Sequence, residues 1–140
     1  MAGLQQDPEV GLALTLRSGP VVIAIEYRVD PDNARAFYDC MLKLQRVRLR
    51  NGGFNWSLSR DIAHPEVWTE RYQFPTWGDY LRTRDRYTQA DLSAQRAADA
   101  YIIAGTEKLI RRRLERPFGS VRWQQNSPDT QQETISYVGP

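Results

Sequence analysis

The chain has 140 residues, with 41% hydrophobic and 26% charged side chains and a formal net charge of +2. That length supports one core and not two, and so small a net charge does not by itself point to nucleic acid. No apolar run is long enough to cross a bilayer, the start lacks the pattern of a secretory signal, and the single cysteine excludes an internal disulfide and fits a cytoplasmic setting.

Residues 1–19 read as an N-terminal extension or linker, in which "GLALTL" forms a short edge strand or lies along the body before "RSGP" breaks it. "VVIAIEYRV" (21–29) is rich in β-branched residues and alternates as a strand does. Val21, Ile23, Ile25, Tyr27 and Val29 share a core face, while Val22, Ala24, Glu26 and Arg28 share the other. "DPDNARAFYDCMLKLQRVRLRNGG" is the clearest helix. Asp30 can cap it, Pro31 suits its first position, and Gly52 and Gly53 end it. Phe37, Met41, Leu44 and Val47 form its apolar stripe, with Cys40 beside them as core filler.

"FNWSLSRD" (54–61) and "VWTERYQF" (67–74) both alternate, and the short link "IAHP" makes them a hairpin. Pro75 stops the second strand. Thr76 with Asp79, and then Thr88 with Asp91, have the spacing of helix-capping boxes, so two helices follow in succession. "TEKLIRRRLER" reads as helical again up to Pro117, which makes residues 92–116 an enlarged second crossover, and "FGSVRWQ" (118–124) reads as the last strand. Residues 125–140 are polar and read as a flexible tail.

The element order is therefore β-α-β-β-α-β, an α+β, ferredoxin-like plan over residues 20–124 with a four-stranded antiparallel sheet. Helices cover one face of such a sheet. The other, with Val22, Ala24, Trp56 and Trp123 as its apolar candidates, calls for a second copy, so a homodimer forming an α/β barrel is expected. The arginine clusters "KLQRVRLR", "LRTRDR" and "LIRRRLER" read as solvated helix faces, and no aromatic-plus-basic RNA motif accompanies them.

The run from "GPV" through "EYRVDP", "NGGFNWSLSRD", Glu70 on the third strand and "TWGDYLR" resembles the dimeric α/β-barrel domain of the antibiotic-biosynthesis-monooxygenase-like superfamily. It is more closely similar to the soluble C-terminal domain of certain bacterial major-facilitator transporters of the enterobactin-exporter type. The resemblance covers about residues 20–91. It implies a pocket between sheet and helices in each subunit, where enzymatic members oxidise an activated carbon with oxygen and no metal or flavin, some members degrade haem, and others only bind ligands. It also implies a place at the cytoplasmic face of the inner membrane, beside a transporter.

His64, the only histidine, falls in the hairpin turn and cannot by itself make a metal site. Enzymatic members resemble one another in a histidine on the second helix, where this chain has Tyr80 and Arg84, so that acid–base route is missing. Glu26 and Glu70 interrupt apolar strands that lie side by side in this plan, so they are the candidate catalytic carboxylates. Alone on a partly buried face such a group would have a raised pKa and could act as a base. Pairing with Arg28, Arg60 or Arg71 across strands is the structural alternative, and the one favoured here. Arg28, Trp56, Tyr72, Trp77, Tyr80 and Trp123, with Trp68, are the candidates to line a ligand pocket, although aromatic residues at these spacings also serve packing. Tyr27, Ser57 and Ser59 form no nucleophile–base constellation. No phosphate loop, CxxC pair or acidic metal cluster occurs, so neither metal nor cofactor is expected. Three readings follow: a small-molecule-binding or regulatory domain tied to a transporter, a cofactor-free oxygenase acting on a hydrophobic aromatic substrate, and a dimerisation module.

Overall fold

The structure is a computed structural model that describes residues 8–116. Its elements are β1 (Val21–Arg28), a 3-10 turn (Pro31–Asn33), α1 (Ala34–Arg50), β2 (Phe54–Arg60), β3 (Val67–Phe74), α2 (Trp77–Arg84), α3 (Gln89–Asp99) and β4 (Leu109–Leu114). The sheet order is β2-β3-β1-β4 with every pair antiparallel, which is the ferredoxin-like arrangement.

Local chemistry accounts for most element ends. The Asp30 side chain accepts from the Asp32 amide and starts the 3-10 turn that feeds α1. At the other end Gly52 takes φ 97°, the left-handed conformation that turns the chain out of a helix. Thr76 caps α2 through the Asp79 amide, and Thr88 and Asp91 form a complete reciprocal capping box on α3. The core lies between the helices and the odd-numbered face of β1. Tyr27, Phe37, Met41, Leu44 and Phe74 are fully buried there, with Tyr27 and Phe37 edge to face at 5.2 Å between centroids.

Two sequence expectations are corrected. The segment expected to be helical, "TEKLIRRRLER", contains β4, paired with β1 from Glu26↔Leu109 to Val21↔Leu114. Its residues alternate in exposure, Ile110, Arg112 and Leu114 half-buried and Leu109, Arg111 and Arg113 exposed, which is the period of two of a strand. The vacant edge of β1 decides for the strand, and the arginines protect the outer edge of the sheet. Residues 92–116 are thus the remainder of α3, a reversal through Gly105 at φ 85° and the fourth strand, and not an inserted crossover. The strand expected at 118–124, with Trp123, lies outside the described residues. The second correction concerns Trp56. The β2–β3 register slips by one residue between Phe54 and Ser57, with Asn55 at φ 54°. That bulge turns Trp56 from the helix-free face to the helix-covered face.

The segment before β1 is stitched to the start of α2. Trp77 and Gly78 donate their amides to the carbonyls of Ser18 (2.6 Å) and Leu16 (2.9 Å). The approach is close enough that a Cβ on Gly19 would sit 2.0 Å from the Pro75 carbonyl oxygen, whereas a Cβ on Gly11 would meet nothing within 4 Å. Gly19→Ala should therefore cost about 3 kcal/mol in urea unfolding and Gly11→Ala only a few tenths. Equal effects at the two positions would show that the seam is not tightly packed.

Candidate functional site

The interior between sheet and helices is not uniformly apolar. Glu70, at the centre of β3, is fully buried, and so is Arg48 from the last turns of α1. The guanidinium grips the carboxylate with two parallel bonds, Nε to Oε2 at 2.9 Å and Nη2 to Oε1 at 3.1 Å, the geometry in which arginine recognises carboxylates best. Tyr27 on β1 donates its hydroxyl to Oε1 at 2.8 Å, and Trp56 on β2 donates Nε1 to Oε2 at 2.9 Å. Each carboxylate oxygen thus receives two donors, which fills its acceptor capacity.

Arg48 is held from its other side. Gln95 on α3 accepts from Nη2 at 2.7 Å, the Tyr87 hydroxyl accepts from Nη1 at 3.4 Å, and the Tyr72 ring lies 4.8 Å beneath the guanidinium carbon. Gln95 in turn donates to Tyr27 and to Asp99, and Asp99 takes Lys108 at 2.7 Å. A second polar cluster closes the same end of α1. Arg50 and Asn51 both donate to Asp91, the N3 residue of the α3 capping box, and Thr83 donates to the Asn51 carbonyl at 3.0 Å.

The electrostatics follow from the contacts. Burial alone would raise the Glu70 pKa, but the Arg48 charge and the bonds from Arg48, Trp56 and Tyr27 outweigh it and hold the carboxyl below the ordinary glutamate value. Burial would likewise lower Arg48, and Glu70 more than restores it. Burial first, and the neighbouring Glu70 carboxylate second, push the Tyr27 hydroxyl well above its ordinary range, so it stays a donor. The pair is ionised on both sides, and the site does not hold a carboxylate poised to accept a proton near neutrality.

The positions expected from the sequence divide accordingly. Glu70 stands opposite Ile25 on the helix-covered face, whereas Glu26 stands opposite Thr69 on the helix-free face, so the two carboxylates do not face each other. The expected cross-strand partners are also replaced. Glu70 takes Arg48 from a helix 22 residues away in sequence, and Arg71 takes Glu115 at 3.5 Å. Arg28 is exposed, and its carbonyl accepts the Ile103 amide. Tyr72, Trp77 and Tyr80 are buried in the core, Tyr80 accepting from Arg112 Nε at 2.6 Å. Trp68 packs on Phe37, with Arg60 over its outer side. His64 is exposed in the hairpin loop, where its amide bonds Asp61. Among the described residues, no three histidine, cysteine, aspartate or glutamate side chains come together as metal ligands.

Arg48 and Gln95 belong to the site and are not among the residues that the sequence singles out. For Arg48 the available signal was a charged residue adjoining the apolar stripe of α1, directly after the buried Val47.

The profile describing transmembrane secretion effectors matches residues 3–118. No curated protein sequence matches the chain significantly. Solved structures share the fold at low identity. A Caulobacter crescentus protein assigned as an antibiotic biosynthesis monooxygenase has a TM-score of 0.61 at 15% identity, with 73% of this chain and 94% of that one covered. SnoaB of Streptomyces nogalater, a cofactor-independent oxygenase in its N63A variant, gives 0.57 at 13%, with 69% and 93% covered. A similarly assigned Nitrosomonas europaea protein gives 0.59 at 13%, with 73% and 95% covered.

Removing one member of the buried pair leaves the other charge without its partner. Arg48→Met should cost about 3–5 kcal/mol, and adding Glu70→Gln to it should recover a sizeable part. Because the folded pKa of Glu70 is depressed, its contribution is complete above the ordinary value of about 4.5 and is lost as pH falls through the lower folded value. Urea midpoints followed from pH 6 downward should therefore fall less steeply below about pH 4.5 in the double variant than in the parent. Parallel curves would remove Glu70 from the acid transition.

Proposed function

The chain belongs to the transmembrane secretion effector family, and from that premise we propose that it acts as a small-molecule-binding accessory domain working beside a membrane transporter. Among the described residues, no helix is long and apolar enough to cross a membrane. The transporter partner is thus a proposed association, and the cytoplasmic face of the inner membrane its proposed setting. The reading also takes the chain to act as a homodimer through the helix-free face of the sheet, where Val22 and Ala24 stand between Arg71 and Gln73 on β3 and Arg111 and Arg113 on β4.

The observation that carries binding over catalysis is the saturated carboxylate. Glu70 is the one acidic side chain of β3, it is fully buried, and four donors occupy it. A general base needs an accessible lone pair and a pKa near the working pH, and Glu70 has neither. Glu26 lies on the opposite face, away from the helix-covered interior. The cofactor-independent oxygenase reading would need one of these two carboxylates, or a group outside the described residues, to take the substrate proton.

A thermal-shift screen of the intact chain against flat hydrophobic compounds, haem and aromatic polyketides tests the proposal. A compound at a hundred times its dissociation constant should add about 2.7 kcal/mol of stability, with no oxygen uptake in its presence. Oxygen uptake that disappears in Glu26→Ala or Glu70→Ala would replace the proposal with the oxygenase. A blank panel for a chain that sediments as a dimer would reduce it to a dimerisation module.

A further inference from the structure

We infer that the outer face of α1 docks on an anionic lipid bilayer, with Tyr38, Leu42 and Leu49 set into the headgroup layer and Lys43 and Arg46 meeting lipid phosphates. The inference goes beyond the accessory-domain reading and needs from it only a position beside a membrane.

α1 carries two apolar stripes. Phe37, Met41, Leu44 and Val47 face the sheet and are buried. Tyr38, Leu42 and Leu49, with Gln45 between the two leucines, recur at helical spacing and share a second face about 100° round the helix. That face stands open among the described residues. Tyr38 is 39% and Leu49 51% exposed, and Leu42 is half-buried. α3 lies on the opposite flank, where Arg50 and Asn51 both meet Asp91.

The charge bordering the open stripe is basic once its pairs are removed. Arg35 pairs with Asp39, Arg48 with Glu70 and Arg50 with Asp91. Lys43 and Arg46 are exposed, and among the described residues no ion pair involves either. In the link between α2 and α3, whose Tyr87 reaches Arg48, Asp85 and Arg86 cancel. The remaining carboxylates gather where α1 begins. Asp30 and Asp32 stand there with Asp61 and Glu66 of the hairpin, whose Glu66 carbonyl accepts the Val29 amide. Asp32 precedes Lys43 by about 16 Å of helix rise, beyond the screening length of about 8 Å at physiological ionic strength.

Charge decides the occupant. A second copy packed on the same stripe about a two-fold axis would set Lys43 and Arg46 against their own equivalents. An anionic bilayer supplies both complements at once, apolar depth for the leucines and phosphate for the cations. The aliphatic stems of lysine and arginine extend along such a boundary, and tyrosine suits it with an apolar ring and a polar hydroxyl.

Cosedimentation of the intact chain with vesicles of equal parts phosphatidylglycerol and phosphatidylethanolamine, against phosphatidylcholine vesicles, tests this. Binding to the first should be at least about tenfold tighter than to the second. Lys43→Gln and Arg46→Gln should each weaken it about fivefold, and less at high salt. Leu49→Gln, at an exposed position, should weaken it about tenfold and leave the thermal unfolding midpoint in place. Arg111→Gln combined with Arg113→Gln, on the helix-free face, should leave it unchanged. Equal binding to both vesicle types, or none to either, would overturn the inference. So would a loss through Arg111 and Arg113 but not through Lys43 and Arg46, which would put the contact on the sheet. A Leu49→Gln variant altered in self-association and not in vesicle binding would overturn it as well, making the stripe a contact between copies. None of these results bears on the ligand screen, so the small-molecule reading stands or falls separately.

Discussion

Every layer of this domain meets at the Arg48–Glu70 ion pair. The carboxylate comes from β3, the guanidinium from α1, and the surrounding donors and acceptors from β1, β2 and α3. Withdrawing two charges from water costs several kcal/mol per ion, and only near-ideal geometry with every remaining hydrogen-bonding position filled returns it. The two parallel bonds and four donors on the carboxylate meet that condition. Such a pair adds little net stability relative to a well-packed apolar alternative, but it tolerates few other arrangements. A one-residue slip of β3, or a rotation of α1, would leave a buried charge unpaired. The pair therefore sets the register of the sheet and the seating of the helix more than it adds to the folding free energy.

The same constraint shapes function. In this fold the space between sheet and helices is where a ligand could be enclosed, and here a satisfied polar network and aromatic rings occupy it. A carboxylate that must remain ionised to hold five elements together is not available to exchange a proton. The fold is shared with one cofactor-independent oxygenase and two proteins assigned as monooxygenases at 13–15% identity, and likeness at that level extends to architecture and not to chemistry. The side chains that decide chemistry differ independently of the backbone that positions them.

At the periphery the segment before β1 runs against α2 and the edge of β4. The contacts that fix it are backbone to backbone, through Ser18, Leu16, Trp77 and Gly78. They require glycine where the chains touch. Beyond that seam the segment carries exposed Val10 and Leu12. A tight seam beside exposed apolar residues makes one end of the same short stretch scaffold and leaves the other open to solvent.

The sequence by itself determined the parts that depend on neighbours a few residues away. The period-two strands β1 to β3, the amphipathic α1, the two threonine–aspartate caps and the hairpin are all set by local sterics and hydrogen bonding, and with them the order as far as the helices that follow β3. It also singled out Glu70 as an anomaly in an apolar strand. Tertiary structure decided everything that depends on which residues meet across the fold: Arg48 as the partner of Glu70, Glu26 on the opposite face, Trp56 turned inward by a one-residue bulge, and "LIRRRL" paired as a strand along the free edge of β1. Local propensities are short-ranged and legible one window at a time. Register, facing and the burial of a charge are properties of residue pairs far apart in sequence, and they exist only once the sheet has formed.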